Sequence, residues 1–172
     1  HVRMMKTDYE DTGLAQLFGM PFVVLRKPVP FDTTTLNFNW QVWDTKAFSL
    51  YSRSTEKIDK KGADMAIAAV CRFLSRMNVL NYNVYGGYES TVLIEEELVS
   101  LRSTASGLYI PHVKSFDSVE RGQVLADIID PLTGVTVAQT EAPEDGIVFF
   151  AKDSPLVMEN ETLFKIVNKL HK

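Results

Sequence analysis

Three histidines, one cysteine and a run of three glutamates are where metal or nucleophilic chemistry would first be sought in this sequence. A catalytic zinc site needs three protein ligands and an open position for water. His1, His112 and His171 have neither the spacing nor the companions for it. Cys71 is alone, which excludes an intramolecular disulfide and a cysteine-based metal cluster. It lies in the apolar helical stretch 68–74, where a free thiol reads as a small buried hydrophobe. Glu95, Glu96 and Glu97 read as a solvated strand end, because successive strand side chains alternate faces and cannot all meet one ion.

The chain has 172 residues, 45% of them hydrophobic and 23% charged, the balance of a folded protein of one ordinary domain or two small ones. A net charge of -4 and a pI near 5.4 argue against a general nucleic-acid binder, and no cationic run exceeds Lys60 and Lys61. No apolar run approaches the ~20 residues that cross a bilayer. No signal peptide opens the chain, so a cytoplasmic location is expected. His1, Val2 and Arg3 read as opening inside something already structured, as in a fragment or processed chain.

The elements that would position a site follow from patterning. Asp11 or Thr12 can cap a short helix over 11–19, with Gly19 as its left-handed stop. Phe22, Val23, Val24 and Leu25 suit a buried strand of a parallel sheet covered on both faces. Residues 33–38 and 47–52, β-branched and aromatic, read as further strands, with 40–44 as loop or short strand. The clearest helix covers 59–80, where Met65, Ala68, Ala69, Phe73, Met77 and Leu80 mark one face behind a cap at Asp59. Residues 81–90 hold Gly86, Gly87, two asparagines and three tyrosines, the composition of a linker or hinge. Beyond them the pattern turns to β.

The last third repeats itself, over 107–128 and again over 146–166. Gly107 corresponds to Gly146, Gly122 to Asn160, Leu125 to Leu163 and Ile128 to Ile166. Such a repeat implies a small all-β module with pseudo-twofold symmetry. Lipoyl and biotinyl carrier domains share this duplicated logic and carry a modified lysine at the central hairpin. Here that tip reads Asp130, Pro131, Leu132, Thr133, Gly134, and Lys114, Lys152 and Lys165 fall elsewhere. The module therefore reads as a structural or substrate-gating appendage, with Tyr109, Phe149 and Phe150 filling its core.

The pieces, in order, resemble the succinylglutamate desuccinylase/aspartoacylase family, relatives of the zinc carboxypeptidases. The resemblance is carried by residues 14–24 (LAQLFGMPFVV), Thr35 and Leu36, residues 46–51 (KAFSLY), residues 73–80 (FLSRMNVL) and the block from Ala105 to Ile166, including 141–146 (EAPEDG). It implies α/β followed by all-β: a partial zinc-carboxypeptidase-like α/β domain over 1–88, then a pseudo-duplicated, barrel-sandwich-like β domain over 89–172. It also implies zinc-dependent hydrolysis of the amide bond of an N-acyl amino acid or related small amide. The family's zinc ligands come from an early His-x-x-Glu and a later His. No His-x-x-Glu occurs here, so the ligands are expected upstream of His1 and this chain alone is expected to be inactive.

The family's Thr-x-Glu-x-Gly-like strand end, whose Glu resembles the general base, matches residues 49–53, so Tyr51 takes the Glu position. A phenol with a pKa of about 10 is a poor base at neutral pH, yet it can donate to a developing oxyanion. Glu56 can replace the base if its loop folds back, or can cap and solvate the next helix with Asp59. Arg53 can hold an acidic substrate by bidentate contact or stand as a surface cation. The implied partners are a small acyl-amino-acid-like substrate and the missing amino-terminal segment, with no nucleic acid and no membrane, and with a homo-oligomer left open. Two alternatives stand beside the hydrolase. One is a non-catalytic binding or assembly protein that retains the fold, which Tyr51 supports. The other is the carrier module.

Overall fold

The computed structural model describes residues 1–52, 58–83 and 86–168. It divides into two compact units, His1–Glu97 and Leu98–Lys172.

The first unit is built on a four-stranded sheet. Strands β1 (Val2–Met5), β2 (Phe22–Arg26) and β4 (Thr91–Ile94) run parallel, and the two-residue β3 (Ser49–Leu50) lies antiparallel to β1 at one edge, in the order β3-β1-β2-β4. Val23, Val24 and Leu25 are buried, as the apolar run requires. Val2, Met4, Val23 and Leu25 form a core with Ala15 of α1 (Thr12–Gln16), Phe18, Met20 and Ala69 of α3 (Lys60–Arg76). Phe73 stacks on Phe18 at 4.3 Å between centroids, and Phe48 meets Phe18 edge-on at 5.5 Å.

Helix α1 ends at buried carbonyls that α3 satisfies. Arg72 Nε donates to the Phe18 carbonyl (3.0 Å), Arg72 Nη2 to that of Gly19 (3.4 Å), and Arg76 Nη1 to that of Leu17 (2.8 Å). A helix end needs such partners because its last carbonyls have none within the helix. The buried face of α3 therefore includes a guanidinium, Arg72, as well as the apolar stripe. The expected stripe stops at Phe73: the helix closes at Arg76, Met77 and Leu80 are exposed, and Cys71 is only half-buried.

The strand expected over 33–38 is instead a 3-10 turn, Pro30–Thr34, followed by helix α2, Leu36–Val42. Local hydrogen bonding decides this. The hydroxyls of Thr33, Thr34 and Thr35 donate to the carbonyls of Pro30, Phe31 and Asp32 at 2.7, 2.9 and 2.7 Å. Asp32 accepts from the Val29 N–H (2.9 Å), and Thr35 caps α2. Side chains that satisfy nearby backbone groups offer an alternative to a ladder. The strand expected over 47–52 narrows to β3, opposite Val2 and Arg3, while the Met5 N–H and carbonyl go to Gln41 of α2.

Two expectations at the end of this unit also change. The described part of the 81–90 stretch is fastened to the first unit: Tyr88 N–H donates to the Gly19 carbonyl (2.9 Å), and the buried Ser90 hydroxyl to that of Met20 (2.6 Å). Residues 91–94 then join the first sheet, so the division falls after Glu97 and not at 88. Glu95–Glu97 is a 3-10 turn and not a strand end; Glu96 Oε1 accepts from the Lys27 N–H at 2.9 Å.

Among its described residues the second unit contains eight strands: β5 (Val99–Arg102), β6 (Gly107–Pro111), β7 (Ser118–Val119), β8 (Val124–Ile129), β9 (Thr136–Glu141), β10 (Gly146–Ala151), β11 (Leu156–Val157) and β12 (Thr162–Asn168). They pair antiparallel as two sheets, β5-β12-β10-β7 and β11-β6-β8-β9, with no closed barrel among the described residues. Each repeat supplies three strands, β6 to β8 and β10 to β12, and is preceded by one more, β5 and β9; counted with these, each sheet takes two strands from each half. Hydrogen bonds repeat as well. Gly122 N–H donates to the Ala142 carbonyl and Asn160 N–H to that of Ser103, both at 2.8 Å. Gly122 (φ 80°) and Asn160 (φ 66°) both occupy the left-handed region, where Gly and Asn are the residues of least cost. One core of Tyr109, Val119, Leu125, Ile128, Val148, Leu163, Phe164 and Ile166 joins the two sheets. Phe150, expected in this core, is exposed, because a register shift follows Val148.

Candidate functional site

Of the three residues singled out in the sequence, Tyr51 is described; Arg53 and Glu56 lie outside the described residues. Tyr51 directly follows β3, and the β1–β3 ladder continues through it: its N–H donates to the His1 carbonyl (2.9 Å) and its carbonyl accepts from the His1 nitrogen (3.1 Å). This places its half-exposed ring against two side chains of β1. The His1 imidazole stacks on it at 5.0 Å with planes 2° apart, and the Arg3 guanidinium lies 4.4 Å from its centroid.

Arg3 Nη2 also donates to the Tyr51 hydroxyl, while Arg3 Nη1 stands 3.9 Å from Glu95 Oε2. The register explains the grouping. Arg3 is opposite Ser49 on one side and Val24 on the other, so Tyr51, two residues past Ser49, shares its face. Arg3 carried no signal in the sequence; pairing alone brings it to Tyr51. A guanidinium and a phenol together present several donors and suit a carboxylate or a developing oxyanion.

A second polar group lies at the carboxyl ends of β1 and β2. Lys6, Thr7, Asp8, Glu10 and Lys27 line an open cleft of about 450 Å³. Its floor is held by Gln41 of α2, fully buried, which accepts from Met5 N–H (3.1 Å) and donates to the Met5 carbonyl (2.6 Å) and the Thr7 hydroxyl (2.8 Å). The Glu10 Oε2 atom is buried and has no hydrogen-bond partner among the described residues. The carboxyl ends of parallel strands are where ligands of open α/β sheets bind. Two ammoniums and two carboxylates here suit a small charged molecule.

In the second unit, His112 Nε2 meets Asp127 Oδ2 at 2.8 Å, and Gln139 Nε2 donates to Asp127 Oδ1 at 2.8 Å. These two hydrogen bonds, from Gln139 first and His112 second, hold the Asp127 carboxyl below its ordinary range. Asp127 is opposite Ile110 and Gln139, and His112, just past the end of β6, reaches it from two residues beyond Ile110. At the tip between β8 and β9, Asp130 accepts from the Leu132 N–H (2.8 Å), and Gly134 has φ 72°.

Among the described residues, no three His, Cys, Asp or Glu side chains are gathered as a metal centre requires. The described residues by themselves therefore offer no ligand set for a zinc ion. Among the described residues, no helix is long and apolar enough to cross a membrane.

No protein-family model and no curated protein sequence matches this chain. Solved structures do. The product-bound ectoine utilization protein EutE of Ruegeria pomeroyi superposes with a TM-score of 0.78 at 11% identity, covering 96% of this chain and 52% of that one. A succinylglutamate desuccinylase/aspartoacylase of Rhodobacter sphaeroides gives 0.75 at 14% identity, covering 99% and 54%. A succinylglutamate desuccinylase of Silicibacter sp. TM1040 gives 0.72 at 12% identity, covering 96% and 53%. The chain thus carries, along nearly its whole length, the mixed α/β fold of succinylglutamate desuccinylase/aspartoacylase structures. It spans about half the length of each.

Proposed function

We propose that this chain is the carboxyl-terminal part of a zinc-dependent hydrolase that cleaves the amide bond of an N-acyl amino acid or related small amide. The observation that supports the reading is the fold likeness over 96% or more of the chain to proteins named as desuccinylases and aspartoacylases. The zinc ligands would come from polypeptide upstream of His1, since the described residues do not fit the ion. Within this chain, Arg3 and Tyr51 would receive the substrate's carboxylate or its developing oxyanion, Arg53 would add a bidentate contact, and Glu56 would move the proton. The β unit would be a barrel-sandwich-like appendage of the larger protein, and a cytoplasmic setting suits such a substrate.

The test compares the chain alone with the protein extended through the reading frame upstream of His1. One zinc per extended protein and hydrolysis of N-acetyl- or N-succinyl-amino acids are expected there, and neither in residues 1–172. An extended protein without stoichiometric zinc removes the reading.

One observation favours a second reading, a non-catalytic binding or assembly protein. The position matched to the family's Glu holds Tyr51, and its hydroxyl oxygen is already engaged by Arg3. An extended protein that binds acyl amino acids without turnover would support it. A carrier role would require a covalent group, and an unmodified intact mass from a host competent in lipoylation and biotinylation would exclude it.

A further inference from the structure

Helix α2 is inverted. Its one buried side chain is the polar Gln41, while Leu36, Trp40 and Trp43 stand out at 61%, 52% and 83% exposure. At 3.6 residues per turn these three fall within about 60° of arc, on the side away from Gln41. Phe31, in the preceding 3-10 turn, is 76% exposed, and Val29 and Val42 are exposed as well. A surface helix normally shows its apolar stripe to the core, and a contiguous apolar patch on the outside marks an interaction site. Tryptophan is among the residues that dominate interface energetics.

We propose that the outer face of α2, with Phe31, is the docking surface for the polypeptide that carries the other half of this fold. Two features select that occupant. First, the matched structures are about twice as long as this chain, so half of the fold lies outside it. Second, the patch borders the incomplete edge of the sheet. The edge strand β3 spans two residues, and among the described residues its ladder with β1 reaches only Arg3, Val2 and, through Tyr51, His1. Beyond its reach, Gln41 of α2 takes over the Met5 N–H and carbonyl, and Asn37 Nδ2 holds Ser49 Oγ at 2.8 Å. A polypeptide that continues the sheet past β3 meets the outer face of α2 next. A second copy of this chain would bring only another two-residue edge. The inference rests on reading this chain as the carboxyl-terminal part of a larger fold, and not on its chemistry.

Trp40 and Trp43 are the two tryptophans of the chain, so tryptophan fluorescence, excited where tyrosine does not absorb, reports on this face alone. Residues 1–172 are produced alone and co-expressed with the polypeptide encoded directly upstream of His1. In the complex, emission is expected to move to the blue and acrylamide quenching to fall several-fold. The double variant Phe31→Ser, Trp43→Ser keeps Trp40 as reporter and is expected to weaken association by roughly 10-fold or more, with unchanged circular dichroism. The proposal is overturned by failure to associate, by a complex in which both tryptophans stay equally quenchable, or by a concentration-dependent loss of quenching in the chain alone, which assigns the face to a second copy. Docking with shielding by an upstream polypeptide that binds no zinc would uphold this surface while removing the proposed hydrolase.

Discussion

Gly107 and Gly146 face the same neighbours one repeat apart. A Cβ on Gly107 would lie 2.5 Å from the Ile129 carbonyl oxygen and 2.9 Å from Ile128 Cγ2; one on Gly146 would lie 2.6 Å from the Val167 carbonyl oxygen and press on Ile166 Cγ2. The backbone oxygens cannot swing aside as a side-chain tip can. Gly107→Ala and Gly146→Ala are each expected to cost about 1–3 kcal/mol, the scale of overpacking. Urea denaturation of the single variants measures it, and a loss below about 0.5 kcal/mol at both sites would contradict the close approach.

Tyr109 lies in the same core with its hydroxyl buried and, among the described residues, without a hydrogen-bond partner. Burial, reinforced by Asp153, pushes its phenol well above the ordinary range. An unsatisfied buried hydroxyl costs about 1–3 kcal/mol. Tyr109→Phe is therefore expected to raise the thermal midpoint, and a lowered midpoint in calorimetry would refute the isolation of that hydroxyl.

Gln41 performs the opposite service, filling its hydrogen-bonding capacity inside the first unit. Gln41→Leu would leave Met5 N–H and carbonyl buried without partners. The expected loss is about 2–4 kcal/mol, and hydrogen exchange at the Met5 amide should accelerate along with it. Unchanged exchange would show that water replaces the side chain at no cost.

Asp127 gives the β unit an acid-sensitive seam. Its folded pKa lies below the ordinary 3.8 because of Gln139 and His112. The stabilisation is present above the unfolded value and is lost as pH falls through the folded one. Stability is thus expected to decline as pH drops below about 4, with a shallower decline in Asp127→Asn. Denaturation midpoints at pH 3 and pH 6 give the comparison; identical slopes in both proteins would dismiss the seam.

Tyr51→Phe separates ring from hydroxyl. The stacking with His1 and the guanidinium contact survive, and the hydrogen bond from Arg3 is lost. Stability is expected to change by less than about 1 kcal/mol at this half-exposed position. In the proposed extended enzyme, kcat/KM should fall on the order of 10-fold or more if the hydroxyl serves an oxyanion. An unaltered kcat/KM removes that role.

What the sequence disclosed follows from how local each signal is. The run Phe22 to Leu25 and the paired anchors Gly122 and Asn160 are written in neighbouring residues, so strand β2 and the repeat were readable. Thr33, Thr34 and Thr35 carry β-branched side chains yet turn back on their own carbonyls, and no composition rule weighs that competition. Arg72 reads as a surface cation until the end of α1 is brought to it. Lys6 and Lys27 meet only because β1 and β2 pair in parallel. The phenol at Tyr51 was located through family resemblance, whereas its partner Arg3 is a product of strand register.

The repeats exchange strands. β5 completes a sheet of the later repeat with β12, and β9 completes a sheet of the earlier one with β8. A polypeptide one repeat long would own half of each sheet and no closed core. Only by embracing an identical neighbour would it bury its apolar faces. The unit is thus two intertwined halves that complete their core only together, with residues 130–135 as the link between them.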